Sequence, residues 1–550
     1  MRFSPMRMPL PFVTPFAWRR TAVAIALCLG VHAQGHESQP NSAPAPLALP
    51  ALGDASAQDL SPAAERRLGD RIMRAILSDP AIIDDPLVGE YIDHVWERLL
   101  RAGRQRGEIT AELDQVHAWE AFLVRDRSVN AFALPGGYIG VHLGLLAMTR
   151  TPDELASVLA HELSHVTQRH IARMISQQAR TSWVGVASLL LGVLAASQNP
   201  AAAQALIYGG QAAAIQGQLN FSRDMEREAD RVGFGILGDA GFRTSGMALM
   251  FESLQQASRL NDDGSFPYLR THPINTERIG DARARLGVDG WDVNKALQPD
   301  ADEQWAWHAL MAARSRVLMD TRSIALEALT QLEPAATARP MDAVATLYTR
   351  AVAWQRSGSA ARAQEALERI RAEMQRLPAR QQAVVARVVM ITQVEGQVQA
   401  RQAQGAEQAL QGLVGAGRPS VVKLEARPEL LLSARLAMLL PESARRRDAW
   451  ADAASRLQTH VSVHPHDAAA WALLSGLWQR LDQPIRAVRA DAEAAAALGD
   501  LTGAIDRAEG GRQRFRQPDA AAFIELSVLD SRLKAWQRQW REDVREDMGR

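Results

Sequence analysis

The chain has 550 residues, 62 basic and 62 acidic side chains, 47% apolar residues and a single cysteine. Its length implies more than one domain, with enough apolar content for sizeable cores. The formal charge is zero, and the basic residues, almost all Arg, form no concentrated stripe, so no nucleic acid is expected as a partner.

Met1 to Ala33 reads as a cleavable signal peptide. Arg2, Arg7, Arg19 and Arg20 precede an apolar run from Thr21 to Val31, and Val31-His32-Ala33 fits a small-residue cleavage site. The run is too short to span a membrane comfortably. A lipoprotein site at Cys28 is disfavoured by the bulk of Leu27, and the surroundings of Arg19-Arg20 do not support a twin-arginine signal. Cleavage would remove the only cysteine, which suits an oxidising compartment, so the expected location is the bacterial periplasm. Residues 34–60, rich in Pro, Ala and Ser, read as a flexible linker. Ser61-Pro62 opens a helix expected to run through Leu77, and Asp85–Arg101 reads as a second, amphipathic one. Strands are expected over Val116–Val124 and Tyr138–His142, the latter bounded by Pro135-Gly136-Gly137.

The organising stretch is Thr151–Ile171, TPDELASVLAHELSHVTQRHI, which reads as one helix. Thr151 suits the N-cap, Pro152 the first turn, and Asp153 and Glu154 the positive end of the helix dipole. Leu155, Leu159, Leu163 and Val166 form an apolar stripe. Within the helix lies H-E-x-x-H. At 3.6 residues per turn, His161 and His165 stand one above the other, suited to one Zn2+ per chain. Glu162 beside them could take a proton from the metal-bound water.

Chance yields this motif in roughly one chain in fifty of this length, so a third ligand is needed for the argument. Phe221–Gly241 supplies one on a second helix, with Ser222 as N-cap and Gly241 as stop. Glu226 is the expected third ligand. Asp230, four residues on and on the same face, could accept a hydrogen bond from His161. Between the two helices, Trp183–Gly217 carries apolar runs that read as a buried hairpin rather than a membrane span, positioned to wall or lid a cleft. From Trp305 onward the pattern is helical without a convincing strand. Ala351, Gly358, Ala363 and Leu367, then Trp471, Leu474, Trp478 and Ala487 after Pro465, and finally Ala504 after Gly499, fall at the spacings of paired repeat helices.

HELSHVTQRH followed by EREADRVG resembles the HtpX-like and CAAX-prenyl-protease superfamily of gluzincin zinc metallopeptidases. The stretch NAFALPGGYIGVHLGLL is similar to a strand pair of that family whose edge lies along the cleft, which implicates Asn130, Ala131, Phe132, Gly136 and Gly137 in substrate binding. Thr271-His272-Pro273 and Arg278 match a further T-H-P…E-R-I motif. The resemblance implies that His272 can approach the metal as a gating fourth ligand. Arg278 would either steady that loop or meet substrate carbonyls. The resemblance is strongest to a periplasmic branch with a C-terminal tetratricopeptide region. It implies a role in assembling outer-membrane proteins and degrading those that misassemble, with the β-barrel assembly machinery docked on the repeats. Peripheral membrane association stays open. The remaining histidines, His142, His170, His460, His464 and His466, read as surface or packing residues.

The expected fold is mainly α with a small β-sheet: a gluzincin-type metallopeptidase domain over 61–300, then an all-α tetratricopeptide solenoid over 301–550. The expected function is a zinc endopeptidase. Two competitors remain: a repeat-based chaperone or adaptor with a latent metal site, and an integral membrane protease, which would need longer apolar segments.

Overall fold

In the computed structural model, residues 60–177, 222–260, 266–286, 301–401, 408, 426–440, 444–515 and 520–548 are described. The expected signal peptide, nearly all of the linker and the Trp183–Gly217 hairpin lie outside them. The expected mainly helical fold with one small sheet is what the described residues form. Helix α1 (Pro62–Ile76) starts at Ser61, whose hydroxyl accepts from Ala64 N–H. Helix α2 (Pro86–Gln105) starts at Asp85, which caps Val88 N–H. Helix α3 (Ala111–Val116) takes the first residue of the expected strand. Trp119, at φ +54°, then delays the strand to Glu120.

The sheet has four short strands in the order β1-β2-β4-β3: β1 (Ile82–Ile83), β2 (Glu120–Val124), β3 (Ala131–Leu134) and β4 (Tyr138–His142). Strands β2 and β4 run parallel, and β3 lies antiparallel to β4 at the sheet edge. Gly136 and Gly137 turn the chain between β3 and β4 at φ +78° and +85°, where a Cβ would be strained. Phe132 lies across Gly140, where an added Cβ would meet the ring at 2.3 Å.

Helix α4 (Leu143–Met148) leads into the central helix α5 (Pro152–Thr167). Thr151 caps α5 by accepting from Glu154 N–H at 3.2 Å. Its leucine stripe is buried as the spacing requires, but so is the polar face, including Ser157, His161, Glu162 and His165. Helix α5 ends earlier than expected. Arg169 adopts φ +53°, and the chain restarts as α6 (His170–Gln177). Two further helices, α7 (Arg223–Asp239) and α8 (Ser245–Leu260), pack on α5. The helical turn α9 (Tyr268–Thr271) and helix α10 (Thr276–Leu286) follow.

Residues 301–548 contribute helices α11 (Ala301–Leu318), α12 (Ser323–Thr330), α13 (Pro340–Arg356), α14 (Ala360–Met374), α15 (Ala379–Gln399), α16 (Arg427–Leu439), α17 (Ala444–Val463), α18 (Ala468–Arg480), α19 (Pro484–Ala497), α20 (Leu501–Arg514) and α21 (Ala520–Met548). Gly358 and Gly499, at φ +79° and +78°, turn the α13–α14 and α19–α20 pairs. One apolar cluster runs without a break from Leu87 in α2 through Trp307 and Met311 in α11 to Leu436 in α16. Buried arginines fasten the same elements. Arg314 bonds Asp85 and Glu395 at 2.8 and 2.9 Å, and Arg387 bonds Glu90 and Glu429 at 2.8 and 2.7 Å. No described helix is long and apolar enough to cross a membrane.

Candidate metal centre

Two helices and a loop bring four side chains together. Helix α5 sets His161 and His165 one turn apart, with their Nε2 atoms 3.0 Å from each other. Helix α7 contributes Glu226, whose Oε1 is 3.4 Å from His165 Nε2 and whose Oε2 is 3.5 Å from His161 Nε2. His272, just after α9, has Nδ1 2.9 Å from Glu226 Oε1 and 3.3 Å from His161 Nε2. All four side chains are buried, and their ligating atoms lie within 4.8 Å of one another.

The donor set fits a zinc-sized cation. Bonds of 2.0–2.1 Å in a tetrahedron give edges of about 3.3–3.4 Å between ligand atoms, close to the separations seen here. Three imidazole nitrogens facing one another cannot each point a proton at the others, and without protons their lone pairs repel. A shared cation resolves both problems. The electrostatics agree: burial alone would depress His161, yet Glu226 and Asp230 push it up to about 10. Burial meanwhile holds His165 well below its usual range. The carboxylates thus draw a proton to the place a cation would take.

A second layer orients these groups. His161 Nδ1 lies 2.9 Å from Asp230 Oδ1, a carboxylate placed to orient the imidazole and leave Nε2 for the centre. Arg278 forks onto Asp230 at 2.7 and 2.8 Å, and its Nη1 lies 2.7 Å from Glu226 Oε2. The same Nη1 donates to Pro273 O at 3.0 Å. Burial would raise Asp230, but His161 and Arg278 hold it below the usual carboxylate range. Among its two expected roles, the contacts of Arg278 are those of a loop staple: its partners lie on α7 and beside His272. The Tyr268 ring also packs on His272, centroids 4.7 Å apart.

Glu162 is fully buried. Its Oε2 accepts from Ala133 N–H at 3.2 Å, and its Oε1 is 3.5 Å from His272 Nε2. Burial raises its pKa. His142 N–H donates to Asn130 O at 3.1 Å. By antiparallel alternation, Asn130 and Phe132 therefore face β4, while Val129, Ala131 and Ala133 turn their backbone groups to the open edge. Val129 O accepts from Tyr268 N–H at 3.4 Å. Strand β3 thus presents its edge between Glu162 and the His272 segment.

Of the expected edge residues, Asn130 and Phe132 turn their backbone groups to β4, and Gly136 and Gly137 leave the strand altogether. Gly136 O and Gly137 O accept from Ala118 and Glu120 N–H at 2.8 and 3.2 Å. The positive-φ turn has swung them toward β2, away from the open edge.

His170, read from the sequence as a surface or packing residue, packs against a member of the cluster. It is completely buried, and its Nδ1 lies 2.8 Å from His165 Nδ1. A continuous helix would turn residue i+5 about 140° from residue i. The left-handed Arg169 breaks the helix and returns His170 to its neighbour. The only hint in the sequence is R-H following the motif, which does not announce a break.

Residues 90–286 match peptidase family M48. The whole cluster lies inside that M48 region. The chain is 35% identical over 269 residues to a β-barrel assembly-enhancing protease of Yersinia pestis, covering 48% of this chain and 52% of the relative. It is 34% identical over 241 residues to a protein of the same description from Escherichia coli, covering 43% and 47%. A mitochondrial metalloendopeptidase of Arabidopsis thaliana, OMA1, is 32% identical over 190 residues, covering 34% and 36%. The chain thus spans about half the length of the bacterial relatives it matches, and less of the mitochondrial one.

Proposed function

We propose that this chain is a periplasmic zinc endopeptidase that acts on outer-membrane β-barrel proteins during assembly and removes those that misassemble. The observation that carries the reading is the buried His161/His165/Glu226/His272 cluster with Glu162 beside it. The barrel-assembly role follows the names of the bacterial relatives. The periplasmic location follows the signal-peptide reading of Met1–Ala33, and docking of the assembly machinery follows the repeat reading of 301–550.

His161, His165 and Glu226 would hold the zinc. When bound, zinc polarises a scissile carbonyl and acidifies nearby water. Glu162, held by Ala133 N–H, accepts the proton of the attacking water and passes it to the leaving nitrogen. An extended substrate adds to the open edge of β3 through Ala131 and the Ala133 carbonyl, a mode that tolerates many sequences. Asp230 holds His161 in register, and Arg278 holds Asp230 and the His272 loop.

A second reading has its own support. With His272 inside the cluster, four protein ligands close the site, as in structural zinc centres. The chain would then act chiefly as a chaperone or adaptor until the loop moves. Zinc content and casein cleavage of the full chain, Glu162→Gln and His272→Ala test both. A gated peptidase keeps zinc in all three, loses about 10²–10⁴-fold in cleavage in Glu162→Gln, and cleaves faster in His272→Ala. Zinc without cleavage in any variant supports the latent-site reading, and absence of zinc overturns both.

A further inference from the structure

We infer that His170 is a positioning residue for the metal ligand His165, the second member of a relay that runs His165–His170–Glu228–Arg173. The inference rests on the metal-centre reading given above.

His165 Nε2 faces the cluster, 3.0 Å from His161 Nε2. A neutral imidazole that ligates through Nε2 carries its proton on Nδ1. That Nδ1 lies 2.8 Å from His170 Nδ1, and only one nitrogen of such a pair can hold the proton between them. His170 Nδ1 is therefore the acceptor, and its own proton sits on Nε2. This is the nitrogen that lies 3.1 Å from Glu228 Oε2, a carboxylate suited to accept it. Arg173 Nη2 donates to the same Glu228 oxygen at 2.7 Å. Each hydrogen bond thus has a defined direction, set at the outer end by a half-exposed ion pair and at the inner end by the metal.

The two histidine ligands are then oriented by different devices. His161 has a carboxylate, Asp230, directly against its Nδ1 at 2.9 Å. His165 reaches its carboxylate only through a second imidazole. The local cause is Arg169 at φ +53°, which folds α6 back so that His170 meets the far side of His165. Groups that hold the distal nitrogen of a metal-bound histidine typically alter metal affinity 10–100-fold, and His170 occupies that place.

The test is zinc affinity of the full-length protein, measured by competition with a chromophoric chelator, for wild type, His170→Asn, His170→Gln and His170→Phe. Asn Oδ1 sits near the place of His Nδ1 and can accept from His165. Gln Oε1 sits near the place of His Nε2 and cannot. The relay predicts wild-type affinity within about threefold for His170→Asn, and a loss of about 10–100-fold for His170→Gln and His170→Phe. A role in packing alone would group the two amides together. Asn and Gln losing affinity equally, or His170→Phe binding as tightly as wild type, overturns the relay and leaves the metal centre standing. If His170→Phe does not fold, the Asn–Gln contrast decides. A wild type that binds no zinc overturns the relay and the metal centre together.

Discussion

Replacing Arg278 by Met separates the loop-staple role from a substrate contact. The guanidinium is 4% exposed. It forks onto Asp230 at 2.7 and 2.8 Å, lies 2.7 Å from Glu226 Oε2, and donates to Pro273 O at 3.0 Å. Met fills most of the volume and removes every one of these contacts. Two buried carboxylates are left without their cation, and breaking a buried pair this way costs about 3–5 kcal/mol. Arg278→Lys keeps one point charge but loses the fork, for a smaller cost of about 1.5–3 kcal/mol. The loss falls first on the segment Arg278 holds. Hydrogen exchange of residues 268–279 in the zinc-free protein should accelerate about 10²–10⁴-fold in Arg278→Met, at 1.4 kcal/mol per tenfold. Exchange should change little in α13 and α14, far along the chain. Unchanged exchange in residues 268–279, together with a raised KM for casein, would refute the staple and return Arg278 to substrate contact.

Glu65 offers a pH test away from the centre. Burial pushes its carboxyl up to about 7, with Arg169 opposing. A folded pKa above the unfolded value near 4.5 means the folded state binds more protons between those limits. Glu65 therefore contributes full stability below about pH 4.5 and loses it as pH rises through about 7. The difference between wild type and Glu65→Gln in urea unfolding should shift by up to about 3 kcal/mol over that window. A pH-independent difference would contradict this. Gly140→Ala places a Cβ 2.3 Å from the Phe132 ring. It should cost about 1–3 kcal/mol in unfolding and loosen β3, read as faster exchange at Ala131 and Ala133. Leu159→Ala, on the fully buried stripe of α5, should cost about 2–5 kcal/mol through the cavity it opens. A cost below 1 kcal/mol would mean that the helix repacks freely.

The sequence by itself determined what is local. Thr151, Pro152, Asp153 and Glu154 start the central helix because caps and dipoles act within a single turn. The spacing of His161 and His165 puts both rings on one face because the helical period requires it. Ser222, Glu226 and Asp230 are legible on a second helix for the same reasons, and the strand at Tyr138–His142 follows from its bounding glycines. What only the tertiary structure decided is how segments distant along the chain meet. The polar face of α5 is buried, not open to a cleft, because α7 and the His272 segment cover it. Helix α11 joins the core of the region that matches M48 through Trp307 and Met311, and Arg314 locks it to α2, although the sequence pattern turns wholly helical from Trp305. His170 lay outside the ligand set by helical arithmetic, and one left-handed residue, Arg169, brought it to His165. Periodicity describes a helix while its backbone angles repeat. It cannot foresee the residue at which they stop repeating, because long-range packing chooses that residue.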